Sequence, residues 1–560
     1  MLKQSNRSRT GARILVDALE AHGLTHAFGV PGESYLAVLD ALSDSKIDFT
    51  ICRQESGAAF MAEAAGKLTG KPGLCFVTRG PGMTNASAGI HVAQQDSTPM
   101  ILIAGQIPRN FRHREAFQEV DVRAVFGTMA KWVVEIDDPA RIPEFVARAV
   151  RIATQGRPGP VVMTLPEDML VEEVVTEDLA AFEPVEIAPS VADMARLQKL
   201  LSEAKKPFIV VGGSRWNQAA VDSLVRFAER FDIPVGASFR RQMLFPNQHD
   251  CYAGDVGTGP NPKLAQRVKD ADLVLAFGAR LSEWPTQGYT LVTAPDPGRN
   301  FVHVHAGIEE LGRVFQPALA INATPVAFAA ALESVQPPSE IPWREWRKST
   351  RDDYLAWSEP LPKIPGNVQM STIVDWLRRN LPADTVMCSG AGNFSIWLHR
   401  FYRHPKFGTQ LAPISGTMGY GVPAAVAAAK LDPKRTVLCF AGDGDFLMTG
   451  QELATAMQYG LAPKIFIIDN GTYGTIRMHQ EREYPGRVFG TDLRNPDFAM
   501  FARSFGADGF TIDDNKDAVP VMEKAFASKK AAVVHVKIAT DAITPTTTLT
   551  ALREKALKKG

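Results

Sequence analysis

Thr436-Val-Leu-Cys-Phe-Ala-Gly-Asp-Gly444 and, one helix later, Lys464-Ile-Phe-Ile-Ile-Asp-Asn-Gly-Thr472 decide how this chain folds. Each opens with an apolar run that does not alternate, which reads as a strand buried on both faces and therefore parallel. Asp443 and Asn470 stand 27 positions apart, the length of one strand–helix–strand crossover. The helix is expected over Thr449–Tyr459, with Leu453, Ala456 and Met457 on one face. Both polar side chains then emerge at the carboxyl ends of neighbouring strands, the edge where open α/β sheets bind ligands. A carboxylate, an amide oxygen and a nearby backbone carbonyl make half of an octahedral oxygen shell, and Mg²⁺ takes its other ligands from phosphates and water. Gly442 and Gly444 let backbone N–H groups approach phosphate oxygens. A lone Gly-Asp-Gly is also an ordinary turn, but followed at this distance by Asn it suggests a site for a metal-bound diphosphate.

The same texture runs outward in both directions. Short apolar runs bounded by Gly or Pro alternate with amphipathic segments of helical length, the pattern of repeated βα units. In the first third, strands are expected at His26–Val30, Asp48–Cys52, Gly73–Val77 and Pro99–Ala104. The middle offers Pro207–Val211, Pro234–Ala237, Leu273–Phe277 and Phe301–His305; the last third offers Thr385–Cys388, Thr436–Ala441, Lys464–Ile468 and Ala532–Val536. Two Pro-bearing stretches without a period, Val171–Val191 and Gln336–Asn367, read as linkers. They divide the 560 residues into domains over 1–175, 192–336 and 366–548. The fold class is α/β, three doubly wound parallel-sheet domains.

Composition narrows the function. Lys+Arg and Asp+Glu both number 61, which argues against a globally basic nucleic-acid binder, and the basic run Arg553–Lys559 reads as a solvated helix end. No apolar stretch reaches membrane-spanning length. Met1–Arg9 lacks the apolar core of a secretory signal, and a frayed start is preferred to a short organellar presequence. The five cysteines are scattered without a CxxC pair and read as buried free thiols in a reducing, cytoplasmic setting. There is no HExxH, no GxSxG elbow and no GxGxxG after a strand. The one HxH, His303-Val-His305, alternates with apolar residues and reads as one sheet face or a domain surface, not as a zinc centre.

Gly-Asp-Gly with Asn one βαβ unit later resembles the signature of thiamin-diphosphate enzymes, with Asp469 at the first place of the usual Asn pair. Phe28-Gly-Val-Pro-Gly-Glu33, Arg53-Gln-Glu-Ser-Gly57, Thr78-Arg-Gly-Pro-Gly-Met-Thr-Asn85, Ala116-Phe-Gln118 and Ser415-Gly-Thr-Met-Gly-Tyr-Gly421 extend the resemblance to acetolactate synthase and its relatives. It implies a pyrimidine-binding, a central Rossmann-like and a diphosphate-binding domain, with thiamin diphosphate and Mg²⁺ as cofactors. By this resemblance Asp443, Asn470 and the backbone oxygen of Thr472 hold the metal. Glu55 becomes the carboxyl that activates the aminopyrimidine, whereas an isolated Glu there would only be a helix-start carboxylate favoured by the dipole. The cofactor carries the hard chemistry; the protein supplies that carboxyl and a bent cofactor shape. Met418 wedges between the cofactor rings, where an isolated methionine would read as a gap filler. The Gly416 backbone bonds the aminopyrimidine, with Pro81 and Asn85 nearby. Gly442, Gly444, Asp445 and Asn393 belong to the diphosphate end, although Phe394 replaces a polar neighbour of Asn393. Gln118 lies near the reacting centre, where a neutral amide can bond a substrate oxygen. Glu55 and Asp443 sit in different thirds, and the family's habit of joining them across subunits implies a homodimer or homotetramer with active sites at the interface.

The expected function is a carboligase that decarboxylates a pyruvate-like 2-oxo acid and joins the product to a second small carbonyl compound. The alternatives are a non-oxidative 2-oxo acid decarboxylase with Glu33 as proton donor, an acyl-CoA or 2-hydroxyacyl lyase, and, more remotely, a non-catalytic nucleotide-binding homologue. Gly32, Glu33, Met478 and His479 are the substrate-pocket candidates. Met478-His479 stands where biosynthetic acetolactate synthases carry Gln-Trp, and His479 reads preferentially as an exposed loop residue. In the central domain Val210-Val-Gly-Gly213 and Arg280 resemble flavin-binding features. Leu281–Trp284 and Ser238–Met243 depart from them, so a Rossmann-like domain without FAD is preferred to one that binds it.

Overall fold

In the computed structural model, residues 7–558 are described; the reading of the first six residues as a frayed start, and Lys559 of the basic run, lie outside them. Three sheets of six parallel strands organise the chain. The first runs in the order Asp48–Ile51, His26–Gly29, Gly73–Val77, Met100–Gln106, Pro160–Pro166, Trp132–Glu135. The second runs Tyr252–Asp255, Val235–Ala237, Pro207–Val211, Leu273–Phe277, Asn300–His305, Leu319–Asn322. The third runs Gln410–Leu411, Val386–Ser389, Val437–Gly442, Lys464–Asp469, Ala532–Lys537, Asp508–Ile512. All three are doubly wound: the chain starts inside the sheet, adds strands to one side, then crosses back to the other. Helices cover both faces, which is why Met100–Gln106, Pro160–Pro166 and Leu273–Phe277 are buried along their whole length.

The chain forms two compact units. The first holds the first sheet, with helices Gly421–Leu431 and Leu453–Gln458 from the last third. The second holds the other two sheets. The expected strands are present, with ends that match or are shifted by one or two residues. The strands not anticipated include Trp132–Glu135, Leu319–Asn322 and Asp508–Ile512, which lie at sheet edges.

Two expectations need correction here. Gln336–Asn367 is not a linker throughout, because helix Arg344–Ser358 occupies its middle. The prolines fall outside that helix, while Trp343 and Trp346 enter the central core and donate their indole N–H groups to Phe231 O and Pro207 O. The basic run is not merely solvated: Arg553 on helix Leu549–Leu557 donates to the buried carboxylate of Glu481 at 2.7 Å. His303 and His305 lie on one face of their strand, the first of the two expected settings, and both are buried. His303 donates to Ala279 O at 2.9 Å, and burial pushes its imidazole down to about 4, so it stays neutral. Val171–Val191 carries only the short strand Glu173–Val174, paired antiparallel with Arg9–Thr10, before helix Val191–Glu203 begins. The five cysteines are free and buried, as expected. Among the described residues no helix is long and apolar enough to cross a membrane.

Candidate active site

In the first unit, Glu55 is the first residue of helix Glu55–Thr69. The helix starts there because Gln54 caps it, accepting from Ser56 N and Gly57 N at 2.6 and 3.2 Å. It ends at Gly70, whose φ of 70° provides the left-handed cap. Glu452, fully buried, accepts from Arg53 N at 3.1 Å and Gln54 N at 3.0 Å, so a second carboxylate sits at the positive end of the same helix. A Cβ on Gly57 would lie 2.5 Å from Glu452 Oε1, so a larger residue there would push this carboxylate aside.

Helix Pro81–Asp96 brings the other pyrimidine-side candidates to Glu55. Asn85 donates to Glu55 Oε2 at 3.0 Å, and a Cβ on Gly82 would stand 3.6 Å from Glu55 Oε1. Gly80, at φ 52°, lets the helix start close against Gln118, whose backbone oxygen would be 2.6 Å from an added Cβ. Gln118 itself has φ 64°, an uncommon conformation for a side-chain-bearing residue that often marks functional loops. The structure thus gathers Glu55, Pro81, Asn85 and Gln118. Gly32 packs on Thr78, and Glu33 forms an ion pair with Arg79 at 3.1 Å.

Gly416 and Met418 also belong to the first unit. Their loop is tethered by the buried carboxylate of Asp96, which accepts from Ile414 N at 2.8 Å and Ser415 N at 3.3 Å and pairs with Lys67 at 2.6 Å. Gly416 has φ 67° and a Cβ there would meet nothing within 4 Å, so its backbone is open to a ligand. Met418 is half-buried beside it.

In the second unit, Val437–Gly442 and Lys464–Asp469 are neighbours in the third sheet, with Gly442 in register with Ile468. Asp443 and Asn470 therefore stand together at the carboxyl edge, as the spacing implies. The intervening helix differs from expectation. A four-residue helical turn, Asp443–Phe446, begins at the end of the strand, and the rest is a 3₁₀ turn, Gly450–Glu452, before Leu453–Gln458. Gly444 packs against the Tyr473 ring, where a Cβ would come within 2.5 Å. Thr472 is pinned through its hydroxyl to Thr491 O at 2.8 Å.

Asp443 does not stand alone. The amide of Asn495 donates to Asp443 Oδ2 at 2.7 Å and to Asp469 Oδ1 at 2.8 Å, while His535 Nε2 donates to Asp469 Oδ2 at 2.8 Å. Burial, reinforced by the Asp469 charge, pushes the Asp443 carboxyl up to about 6. Asp469 is half-buried, but its bonds to His535, Asn495 and Gly471 N hold it below the usual range. A buried carboxyl lifted in this way gains most from a cation. One carboxylate, one amide and one backbone carbonyl also suit Mg²⁺, which keeps phosphate and water ligands. Among the described residues no group of three or more His, Cys, Asp and Glu is arranged to hold a metal.

Asn393 is buried between its own loop and helix Gly474–Glu483, accepting from Thr475 Oγ1 at 3.1 Å and donating to Met478 Sδ at 3.4 Å. Phe394 covers Gly392 and Gly442. Asp445 is buried and accepts from Ala391 N at 3.2 Å, which turns it toward the end of strand Val386–Ser389. His479 is exposed, though on a helix and not in a loop, while Met478 is half-buried. Sequence reading missed Glu452, Asp96, Asn495 and Arg79. Asn495 precedes a proline, and nothing local to Glu452 or Asp96 signals their partners.

Profiles of the thiamine pyrophosphate enzyme family match three times: its N-terminal TPP binding domain over residues 9–125, its central domain over 194–332 and its C-terminal TPP binding domain over 390–536. The acetolactate synthase large subunit of Parasynechococcus marenigrum is 33% identical, covering 90% of this chain and 84% of that protein. The acetolactate synthase large subunit of Corynebacterium glutamicum is 32% identical, over 92% and 84%. The acetolactate synthase isozyme 2 large subunit of Escherichia coli is 30% identical, over 94% and 95%. The chain belongs to the thiamine pyrophosphate enzyme family. It is an acetolactate synthase-like member of that family, an enzyme that uses thiamin diphosphate and acts on small molecules.

Proposed function

We propose that this thiamin-diphosphate enzyme decarboxylates a pyruvate-like 2-oxo acid and ligates the product to a second carbonyl compound. The observation that carries the reading is the pairing of Glu55 with Asn85 in one unit and of Asp443 with the Asn470 strand end in the other. Bound thiamin diphosphate supplies the nucleophilic carbon for such chemistry. Glu55 is assigned to the aminopyrimidine, with Pro81, Asn85 and the Gly416–Met418 loop beside it. Asp443, Asn470 and the Thr472 carbonyl are assigned to Mg²⁺, and Gly442, Gly444, Asp445 and Asn393 to the diphosphate end. Gln118 is assigned to a substrate oxygen, and Gly32, Glu33, Met478 and His479 to the substrate pocket. The domains follow as 1–175 for the pyrimidine, 192–336 central and 366–548 for the diphosphate.

The reading includes a homodimer or homotetramer in the cytoplasm, without nucleic-acid or membrane partners. In it a central domain without FAD is preferred to one that binds it: Arg280 faces Glu310 at 3.8 Å, and Trp216 Nε1 donates to the Gly212 carbonyl at 2.8 Å. The test is product analysis by NMR with purified protein, thiamin diphosphate, Mg²⁺ and pyruvate, with and without aldehyde acceptors. Acetolactate or another ligated ketol supports the carboligase. Acetaldehyde alone rejects it in favour of a decarboxylase.

A further inference from the structure

The first sheet reverses its winding between strands His26–Gly29 and Gly73–Val77. From His26–Gly29 the chain adds Asp48–Ile51 on one side, then crosses back to add Gly73–Val77 and Met100–Gln106 on the other. A crevice opens outside the carboxyl ends at such a switch, and ligands of open α/β sheets bind there. The loops that line it are Val30–Glu33 and Thr78–Pro81. They meet closely: a Cβ on Gly32 would lie 2.4 Å from Thr78 Cβ.

Arg79 lies on the second of these loops. Its side chain is 8% exposed. Nη1 donates to Glu167 at 2.9 Å and Nη2 to Glu33 at 3.1 Å, while Nε has no partner. A guanidinium binds a carboxylate best through two parallel N–H groups, and Nε with its neighbouring Nη is one such edge. Here one edge has a single contact, to a Glu33 side chain that is 66% exposed. An ion pair with so exposed a partner is weak and readily exchanged. The buried, unpartnered Nε is the costly part of the arrangement, and a second carboxylate oxygen would satisfy it. Gly80, next in sequence, carries the chain to the Gln118 contact and the Glu55–Asn85 pair.

We infer that Arg79 is a recognition residue for the carboxylate of a small 2-oxo acid, and that Glu33 occupies that place until the substrate displaces it. The inference rests on the proposed 2-oxo acid chemistry and names the group that would recognise the acid. It also gives Glu33 a role other than proton donor, that of resident partner of Arg79.

The test is calorimetric titration of the full-length protein, loaded with thiamin diphosphate and Mg²⁺, with two unreactive probes. Oxamate has the shape and charge of a small 2-oxo acid, and oxamide is its uncharged counterpart. Arg79→Lys keeps the charge and removes the fork; it is expected to weaken oxamate about tenfold or more while leaving oxamide within about twofold. Glu33→Gln removes the resident competitor and is expected to tighten oxamate by about threefold. Three results overturn the inference: no oxamate binding by the parent, unchanged oxamate affinity in Arg79→Lys, or an equal loss for both probes. If Arg79→Lys fails to fold by circular dichroism, Glu33→Gln decides, and oxamate binding that does not tighten rejects the assignment. Arg79-dependent oxamate binding without any ligated product from the parent would instead reject the carboligase reading and leave this one standing.

Discussion

Asn85 holds Glu55: its amide donates to Glu55 Oε2 at 3.0 Å, so the carboxyl at the start of helix Glu55–Thr69 is fixed by helix Pro81–Asp96. Glu55→Gln preserves an acceptor for Asn85 and should leave thiamin diphosphate affinity within a few-fold. The exchange of the cofactor's C2 proton, followed by NMR in deuterated buffer, should slow by about 10²-fold or more. Equal exchange in variant and parent would falsify the assignment of Glu55.

Asp443→Ala should abolish Mg²⁺-dependent binding of thiamin diphosphate in calorimetry. Asn495→Ala leaves every assigned metal ligand in place but frees two carboxylates from their shared donor. Its cost should be smaller, about 10-fold to 100-fold in metal affinity, as for other partners that orient a ligand. An Asn495 variant indistinguishable from the parent rules out that orienting role.

Glu452→Ala leaves the Arg53 and Gln54 N–H groups without their buried acceptor. The loss should be about 2 kcal/mol of stability, read as a lower unfolding midpoint in urea. Glu452→Gln, which keeps one acceptor oxygen, should lose less. Equal midpoints for all three proteins mean that the helix start does not depend on this carboxylate.

Glu481 gives the fold an acid limit. Bonds from Arg553, Gly486 N and Arg477 outweigh its burial and hold its carboxyl down to about 2, below the ordinary value of 4.5. A depressed carboxyl adds stability that is complete above the unfolded value and fades as pH falls from about 4.5 towards about 2. Glu481→Gln should therefore destabilise the protein by about 3 kcal/mol at pH 7 and by progressively less below pH 4.5. A destabilisation that does not change with pH removes the electrostatic explanation.

The fold was legible because parallel strands covered on both faces write continuous apolar runs into the sequence. Edge strands write weaker ones: Asp508–Ile512 carries a glycine and is mostly half-buried. Pro160–Pro166, fully buried, is bracketed by prolines that read as punctuation. Asp443 and Asn470 were legible because one crossover separates them. The network behind Asp443 was not, since Asn495 and His535 stand 26 and 66 positions from Asp469 and meet it only through the sheet. The helix Arg344–Ser358 was hidden by the prolines on either side, although its Trp346 and Tyr354 were the sign of a core-facing segment.

The distribution of free cysteines has a practical consequence. Cys52 and Cys75 belong to the first sheet's surroundings, Cys251 to the second's, and Cys388 and Cys439 face each other in register on the third. Burial raises the Cys52, Cys75, Cys251 and Cys439 thiols, so they resist alkylation while their surroundings stay closed. Labelling each thiol against time, with peptide mapping by mass spectrometry, turns them into separate clocks for the breathing of the three domains. Added thiamin diphosphate should slow those clocks wherever it ties the chain shut.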